Sequence, residues 1–127
     1  MPRRILVIDD DEVCRALFVE ALRLAGYAVE EAEGAIMGLD MCEQLTFDLV
    51  ITDLVLPDRD GTSVITELRR RYPELKVMAV SGAGCTEFVD YLKMAEMVGA
   101  HRTLAKPVSI AQLTTCVELL VGPATAV

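Results

Sequence analysis

Short apolar runs recur along the chain, and each gives way to polar residues where a strand would end. The runs predict strands near 4–8, 27–32, 48–53, 76–81 and 102–105. Between them, apolar residues at helical spacing predict helices near 11–25, 35–45, 61–71, 86–98 and 108–120. Cys14, Leu17, Phe18, Ala21 and Ala25 form one stripe of the first helix, which Gly26 can close in a left-handed conformation. In the last helix Ile110, Leu113, Val117 and Leu120 form the stripe, and Ser109 with Gln112 reads as a capping box. Regular alternation of strand and helix predicts an α/β domain, a parallel sheet covered by helices on both faces. The second strand, Ala28-Val29-Glu30-Glu31-Ala32, is the most polar and belongs at an edge, whereas the apolar first, third and fourth strands belong in the middle.

Composition narrows the class. The 127 residues, 53% of them hydrophobic, suffice for one domain with its own core and no metal or disulfide staple. The expected organisation is a single domain over 1–127, with a core of about 4–120 and a loose tail at 121–127. A formal net charge of −8 argues against nucleic acid as a direct partner, since phosphate backbones are bound by a surplus of Lys and Arg. No apolar run approaches the roughly 18 residues needed to cross a bilayer, and Met1-Pro2-Arg3-Arg4 leads straight into a strand. No membrane contact and a cytoplasmic location are therefore expected. Cys14, Cys42, Cys85 and Cys116 lack CxxC pairing or zinc-ligand spacing, which predicts buried structural thiols. His101, the sole histidine, falls in the loop before the fifth strand and is expected to be exposed and without function.

The residues that close the apolar runs carry the chemistry. Asp9 and Asp10 follow Ile5 to Ile8, Asp53 closes Leu49 to Thr52, Ser81 ends Val77 to Val80, and Lys106-Pro107 follows Leu104-Ala105. In an open parallel sheet, ligands bind outside the carboxyl ends of the strands, so these distant residues are expected to meet there. Three carboxylates make a hard-oxygen site for Mg²⁺, one of them can accept a phosphoryl group, and a hydroxyl and an ammonium can hold the transferred oxygens. Asp58 and Asp60, away from a strand end, read as loop and helix-cap groups.

In this order, the acidic pair, the string Asp53-Leu54-Val55-Leu56-Pro57-Asp58-Arg59-Asp60-Gly61, Ser81 and Lys106-Pro107 resemble the receiver domain of two-component response regulators. The resemblance covers about residues 4 to 120. It implies a doubly wound, flavodoxin-like sheet of five parallel strands in the order 2-1-3-4-5 with five helices. It also implies that Asp53 is the phosphoacceptor and that Asp10, Asp53 and the main-chain carbonyl of Val55 ligate Mg²⁺, with Asp9 acting directly or through water. Ser81 and Lys106 then hold the phosphoryl oxygens, and the peptide bond before Pro107 is cis. The implied donor is a sensor histidine kinase or a histidine phosphotransfer protein. An effector or a second copy is expected at the fourth helix, fifth strand and fifth helix. Such a domain is a phosphoacceptor switch in a phosphorelay, not an enzyme.

Several positions depart from the family pattern. Thr103 stands three residues before Lys106, where many receivers carry Tyr or Phe. The interval from Ser81 to Lys106 is longer than is common, which predicts a flexible loop at Gly82-Ala83-Gly84-Cys85. Val55 and Ala83 occupy the two positions that flank an attacking water in the family, and neither side chain can orient it, so slow dephosphorylation is expected. In the fourth helix Phe88, Val89, Tyr91, Leu92, Met94, Ala95, Met97 and Val98 leave few polar positions. A partner surface and a crowded core both fit that pattern. Asp9-Asp10-Asp11-Glu12-Val13 also fits the nucleophile motif of haloacid-dehalogenase-like phosphatases, but only Glu118 follows Lys106 where that family needs a further acidic cluster. A receiver-like scaffold that works without phosphorylation would lack an acceptor, acid or lysine, and all are present.

Overall fold

The computed structural model describes residues 2–82 and 88–124, the side chains of 88–91 excepted. Its elements run β1 (Arg4–Ile8), α1 (Glu12–Leu24), β2 (Ala28–Ala32), α2 (Ala35–Gln44), β3 (Leu49–Asp53), α3 (Gly61–Arg71), β4 (Lys76–Ser81), α4 (Phe88–Met97), β5 (Arg102–Ala105) and α5 (Ile110–Val121). The strands form one parallel sheet in the order β2-β1-β3-β4-β5, with the polar β2 at an edge as its composition predicts. Registers such as Ile8 opposite Thr52, Asp53 opposite Val80 and Ser81 opposite Ala105 bring the carboxyl ends of four strands to one rim.

Successive side chains of a strand point to opposite faces, and the core divides accordingly. Leu6, Ile8, Val50, Val77 and Ala79 pack under α2, α3 and α4, whereas Ile5, Val7, Leu49, Ile51, Met78 and Val80 pack under α1 and α5. Asp11 caps α1, accepting from the Val13 and Cys14 amides, and Asp60 caps α3. The capping box of Ser109 and Gln112 opens α5. Gly26 follows α1 with φ +100°, a left-handed conformation that costs glycine little.

The buried stripe of α1 is rotated from the predicted one. Arg15, Phe18, Val19, Ala21 and Leu22 face inward, while Leu17 is 54% exposed and Ala25 is also exposed. Apolar residues surround most of this helix, so spacing alone cannot choose a stripe, and the inward turn of a charged Arg15 depends on partners elsewhere in the fold. In α5, Leu113 and Val117 are buried but Ile110, predicted on the same stripe, is 57% exposed.

His101 is not the exposed loop residue its position suggests. Its main-chain N–H donates to the Val77 carbonyl at 2.8 Å, and its side-chain Nδ1 accepts from the Val77 N–H at 3.0 Å. Backbone pairing of β4 with β5 begins only at Met78 and Arg102, so the imidazole satisfies an amide that the strand leaves without a partner. Residues 121–124 of the segment expected as a loose tail are also held. Val121 belongs to α5, the Tyr27 hydroxyl donates to the Gly122 carbonyl at 2.9 Å, and the Arg3 N–H donates to the Ala124 carbonyl at 2.7 Å.

Cys42 is buried, Cys14 and Cys116 are half-buried, and all three are free thiols. Burial pushes the Cys14 and Cys42 thiols up to about 11, away from the reactive thiolate. Cys85, with Ala83 and Gly84 of the predicted Gly82-Ala83-Gly84-Cys85 loop, lies outside the described residues, as do 125–127. No helix among the described residues is long and apolar enough to cross a membrane.

Candidate functional site

Asp9, one residue beyond β1, and Asp53, the last residue of β3, are both buried at the carboxyl rim of the sheet. Asp10 is exposed beside them. One oxygen from each of these three carboxylates lies within 4.8 Å of the others. Lys106, the residue after β5, reaches across β4 and β3, and its Nζ lies 2.9 Å from Asp9 Oδ2 and 2.9 Å from Asp53 Oδ2. Its own N–H donates to the Ser81 carbonyl at 2.7 Å, and the Lys106–Pro107 peptide bond is cis. Ser81 ends β4 and is buried at the same rim.

The charges here are unbalanced. Asp53 is 8% exposed, and burial raises its carboxyl above the ordinary value; the Val55 N–H at 3.0 Å and Lys106 oppose that rise, while the charge of Asp9 adds to it. Burial also disfavours the Lys106 ammonium, but its hydrogen bonds and ion pairs with Asp9 and Asp53 outweigh burial and hold it well above the ordinary lysine value. One ammonium thus serves a group of three carboxylates. A second, divalent cation suits this set, which offers only carboxylate oxygens and has the exposed Asp10 on its open side. Such donors favour a hard ion like Mg²⁺.

The loop from Asp53 to Gly61 is fixed at several points. Asp60 Oδ1 accepts from the Thr62 N–H at 2.9 Å and its hydroxyl at 2.8 Å, and Val55 bridges to Asp60. Gly61 sits so close that a Cβ there would press on Leu54 Cα and stand 2.7 Å from the Asp53 carbonyl oxygen. Asp58 does more than occupy the loop. Its two oxygens accept from the Ala35 and Ile36 amides at 2.9 Å each, capping α2, whose own N-cap Gly34 has no side chain to do so. Those hydrogen bonds hold the Asp58 carboxyl below the usual range.

The other candidate residues lie around this cluster. Val55 is exposed beside it. Thr103 is half-buried and donates to Glu96 of α4 at 3.2 Å, so it sits outside the acid cluster. Ala83 lies outside the described residues. In α4 Ala95 is buried and Leu92 is half-buried, as is Val98 just past the helix, while Met97 is 83% exposed and Met94 is exposed too. Arg15, a residue with no evident role in the sequence, is buried behind the acidic pair.

The family model of the response regulator receiver domain matches residues 5–118. The chain is 34% identical over 116 residues to the sensor kinase CckA of Brucella abortus, a match spanning 90% of this chain and 12% of that protein. It is 35% identical over 122 residues to the DNA-binding dual master transcriptional regulator RpaA of Synechocystis sp., spanning 94% of this chain and 49% of the relative. With the transcriptional regulatory protein PdtaR of Mycobacterium tuberculosis the identity is 34% over 125 residues, with coverages of 96% and 58%. The chain therefore spans between 12% and 58% of the length of these relatives. Among solved structures, a CheY-like receiver domain protein from Methanospirillum hungatei JF-1 superposes with a TM-score of 0.86 at 28% identity, covering 94% of this chain and 93% of that one. The receiver domain of NtrX from Brucella abortus gives the same TM-score of 0.86 and identity of 28%, with coverages of 92% and 97%.

Proposed function

The chain belongs to the response regulator receiver domain family, and from that premise we propose that Asp53 accepts a phosphoryl group from a phosphohistidine and that the phosphorylated domain changes its binding partners. The observation that carries this reading is the Lys106 ammonium, shared at 2.9 Å between Asp9 and the proposed acceptor. A long, flexible cation in that position can pass from the carboxylate to an incoming phosphoryl oxygen.

In the proposed transfer an Asp53 carboxylate oxygen forms a bond to phosphorus, and the electron pair of the phosphorus–nitrogen bond leaves with the imidazole. Lys106 and the Ser81 hydroxyl bind the transferred oxygens. Asp9, Asp10, Asp53 and the Val55 carbonyl are the proposed ligands of Mg²⁺, which when bound offsets the negative charge between phosphoryl group and acceptor. The side chains of Val55 and Ala83 offer no hydrogen bond to a hydrolytic water, which favours a long-lived phosphorylated state. The donor is a sensor histidine kinase or a histidine phosphotransfer protein, and the cytoplasm, where ATP-dependent kinases act, is the proposed location. An effector or a second copy binds at α4, β5 and α5, a reading supported by the exposed Met94 and Met97. The domain is a substrate of the transfer and turns over nothing else.

Incubation with acetyl phosphate and Mg²⁺, followed by intact mass measurement, tests the assignment. Wild type gains one acid-labile phosphoryl group and Asp53→Asn gains none. Equal labelling of the variant would overturn it.

A further inference from the structure

Arg15 is the one charged residue of α1 that the fold buries, with 10% of its side chain exposed. A guanidinium taken out of water is costly unless it is paired and hydrogen-bonded. Arg15 meets both conditions at the acid site. Its Nη1 donates to the main-chain carbonyl of Asp9 at 2.7 Å, and its Nε donates to Glu31 Oε1 on β2 at 3.0 Å. We propose that Arg15 is a positioning residue that aims the Asp10 carboxylate into the cation site by holding the peptide between Asp9 and Asp10. The inference rests on reading that site as a Mg²⁺-dependent phosphoacceptor.

The main chain at Asp9 is gripped from two directions, because its N–H also donates to the Ala32 carbonyl at 3.1 Å. A peptide group is planar, so fixing the Asp9 carbonyl fixes the plane from which Asp10 departs. Asp10 depends on this more than its neighbours do. Asp9 is anchored by Lys106 and by the Asp11 N–H, and Asp53 by Lys106 and the Val55 N–H. The Asp10 carboxylate is exposed and has no hydrogen-bond partner among the described residues, yet one of its oxygens lies within 4.8 Å of oxygens of the other two. Its backbone sets where that side chain starts, with no hydrogen bond from the described residues to the carboxylate itself. Arginine serves the Asp9 carbonyl and Glu31 from two separate nitrogens of one rigid plane, Nη1 and Nε, a spread and direction that the single Nζ of a lysine does not reproduce.

The test uses the full chain as wild type, Arg15→Met, Arg15→Lys and Asp53→Asn, with Mg²⁺ followed first by melting temperature and then by acetyl phosphate labelling. Half-saturating Mg²⁺ rises roughly ten- to hundredfold in Arg15→Met and about threefold or more in Arg15→Lys. At saturating Mg²⁺ both variants label within about twofold of the wild-type rate. A residue that only held the fold together would lower the melting temperature and leave half-saturation unmoved. Wild-type half-saturation in both variants overturns the proposal, as does labelling that saturating Mg²⁺ fails to restore. Where Arg15→Met does not fold, Arg15→Lys decides by the same criterion. The melting titration requires no phosphoryl transfer, so an unlabelled wild type would defeat the phosphoacceptor reading while the Mg²⁺ shift still judged Arg15.

Discussion

Gly61 is where a single methyl group would matter most. A Cβ at this position would meet backbone atoms of Leu54 and Asp53, which cannot swing aside as a flexible side chain can. Gly61→Ala is therefore expected to cost about 1–3 kcal/mol in a urea unfolding experiment, as overpacking of a tight contact generally does. An unchanged midpoint would mean that the loop yields freely. Residues of this kind differ in how openly the sequence displays them. Asp9, Asp53, Ser81 and Lys106 are conspicuous because hydrophobic runs stop at them, and the parallel sheet then gathers the ends of those runs. Arg15 and Asp58 are not conspicuous. A charged residue on an amphipathic helix ordinarily faces water, and Arg15 turns inward only because Glu31 and the Asp9 carbonyl, contributed by other elements, receive it. Asp58 caps a helix that begins 23 residues before it, a relation that no local capping pattern records.

At the scale of elements, composition correctly puts β2 at an edge, and strand limits fall within a residue of those the apolar runs predict. The stripe of α1 and the role of His101 are decided by neighbours. His101 joins β4 to the start of β5 through an Nδ1 that must be unprotonated to accept the Val77 N–H. Burial, and after it the charges of Arg69 and Lys76, hold the imidazole below its ordinary value of 6.5. A base whose pKa is depressed by folding contributes stability that is complete above its unfolded value and is lost as pH falls through the folded one. The stability gap between wild type and His101→Ala should thus be about 1 kcal/mol above pH ~7 and shrink toward pH ~5, as judged by denaturant melts across that range. Other acids titrating in that range cancel in the comparison, and the chain has no second histidine to mask the effect. A gap independent of pH would show that the ring acts by packing alone.

For the whole molecule, stability and ligand binding meet at the carboxyl rim. Three carboxylates cluster there and one ammonium pairs with two of them, so a cation that binds only the folded chain should stabilise it. At ten times its dissociation constant, Mg²⁺ is expected to add about 1.4 kcal/mol, seen as a rise in melting temperature, and Asp10→Asn should remove most of that gain. A wild-type melting temperature indifferent to Mg²⁺ would count against the cation site. At the other end of the sheet, the Arg3 N–H meets the Ala124 carbonyl at 2.7 Å, so the two ends of the described fold lie at one spot. Joining 124 to 3 with a short glycine-serine link and opening the chain between Pro73 and Glu74, in the exposed turn between α3 and β4, changes which residue comes first and leaves every strand beside its present neighbours. The permuted protein should melt cooperatively and respond to Mg²⁺ at the same half-saturation, and a failure to fold would show that the order of the chain matters beyond its contacts. A domain whose entry and exit coincide is a cassette, able to be spliced into the loop of a host or hung from either of its ends without disturbing the sheet.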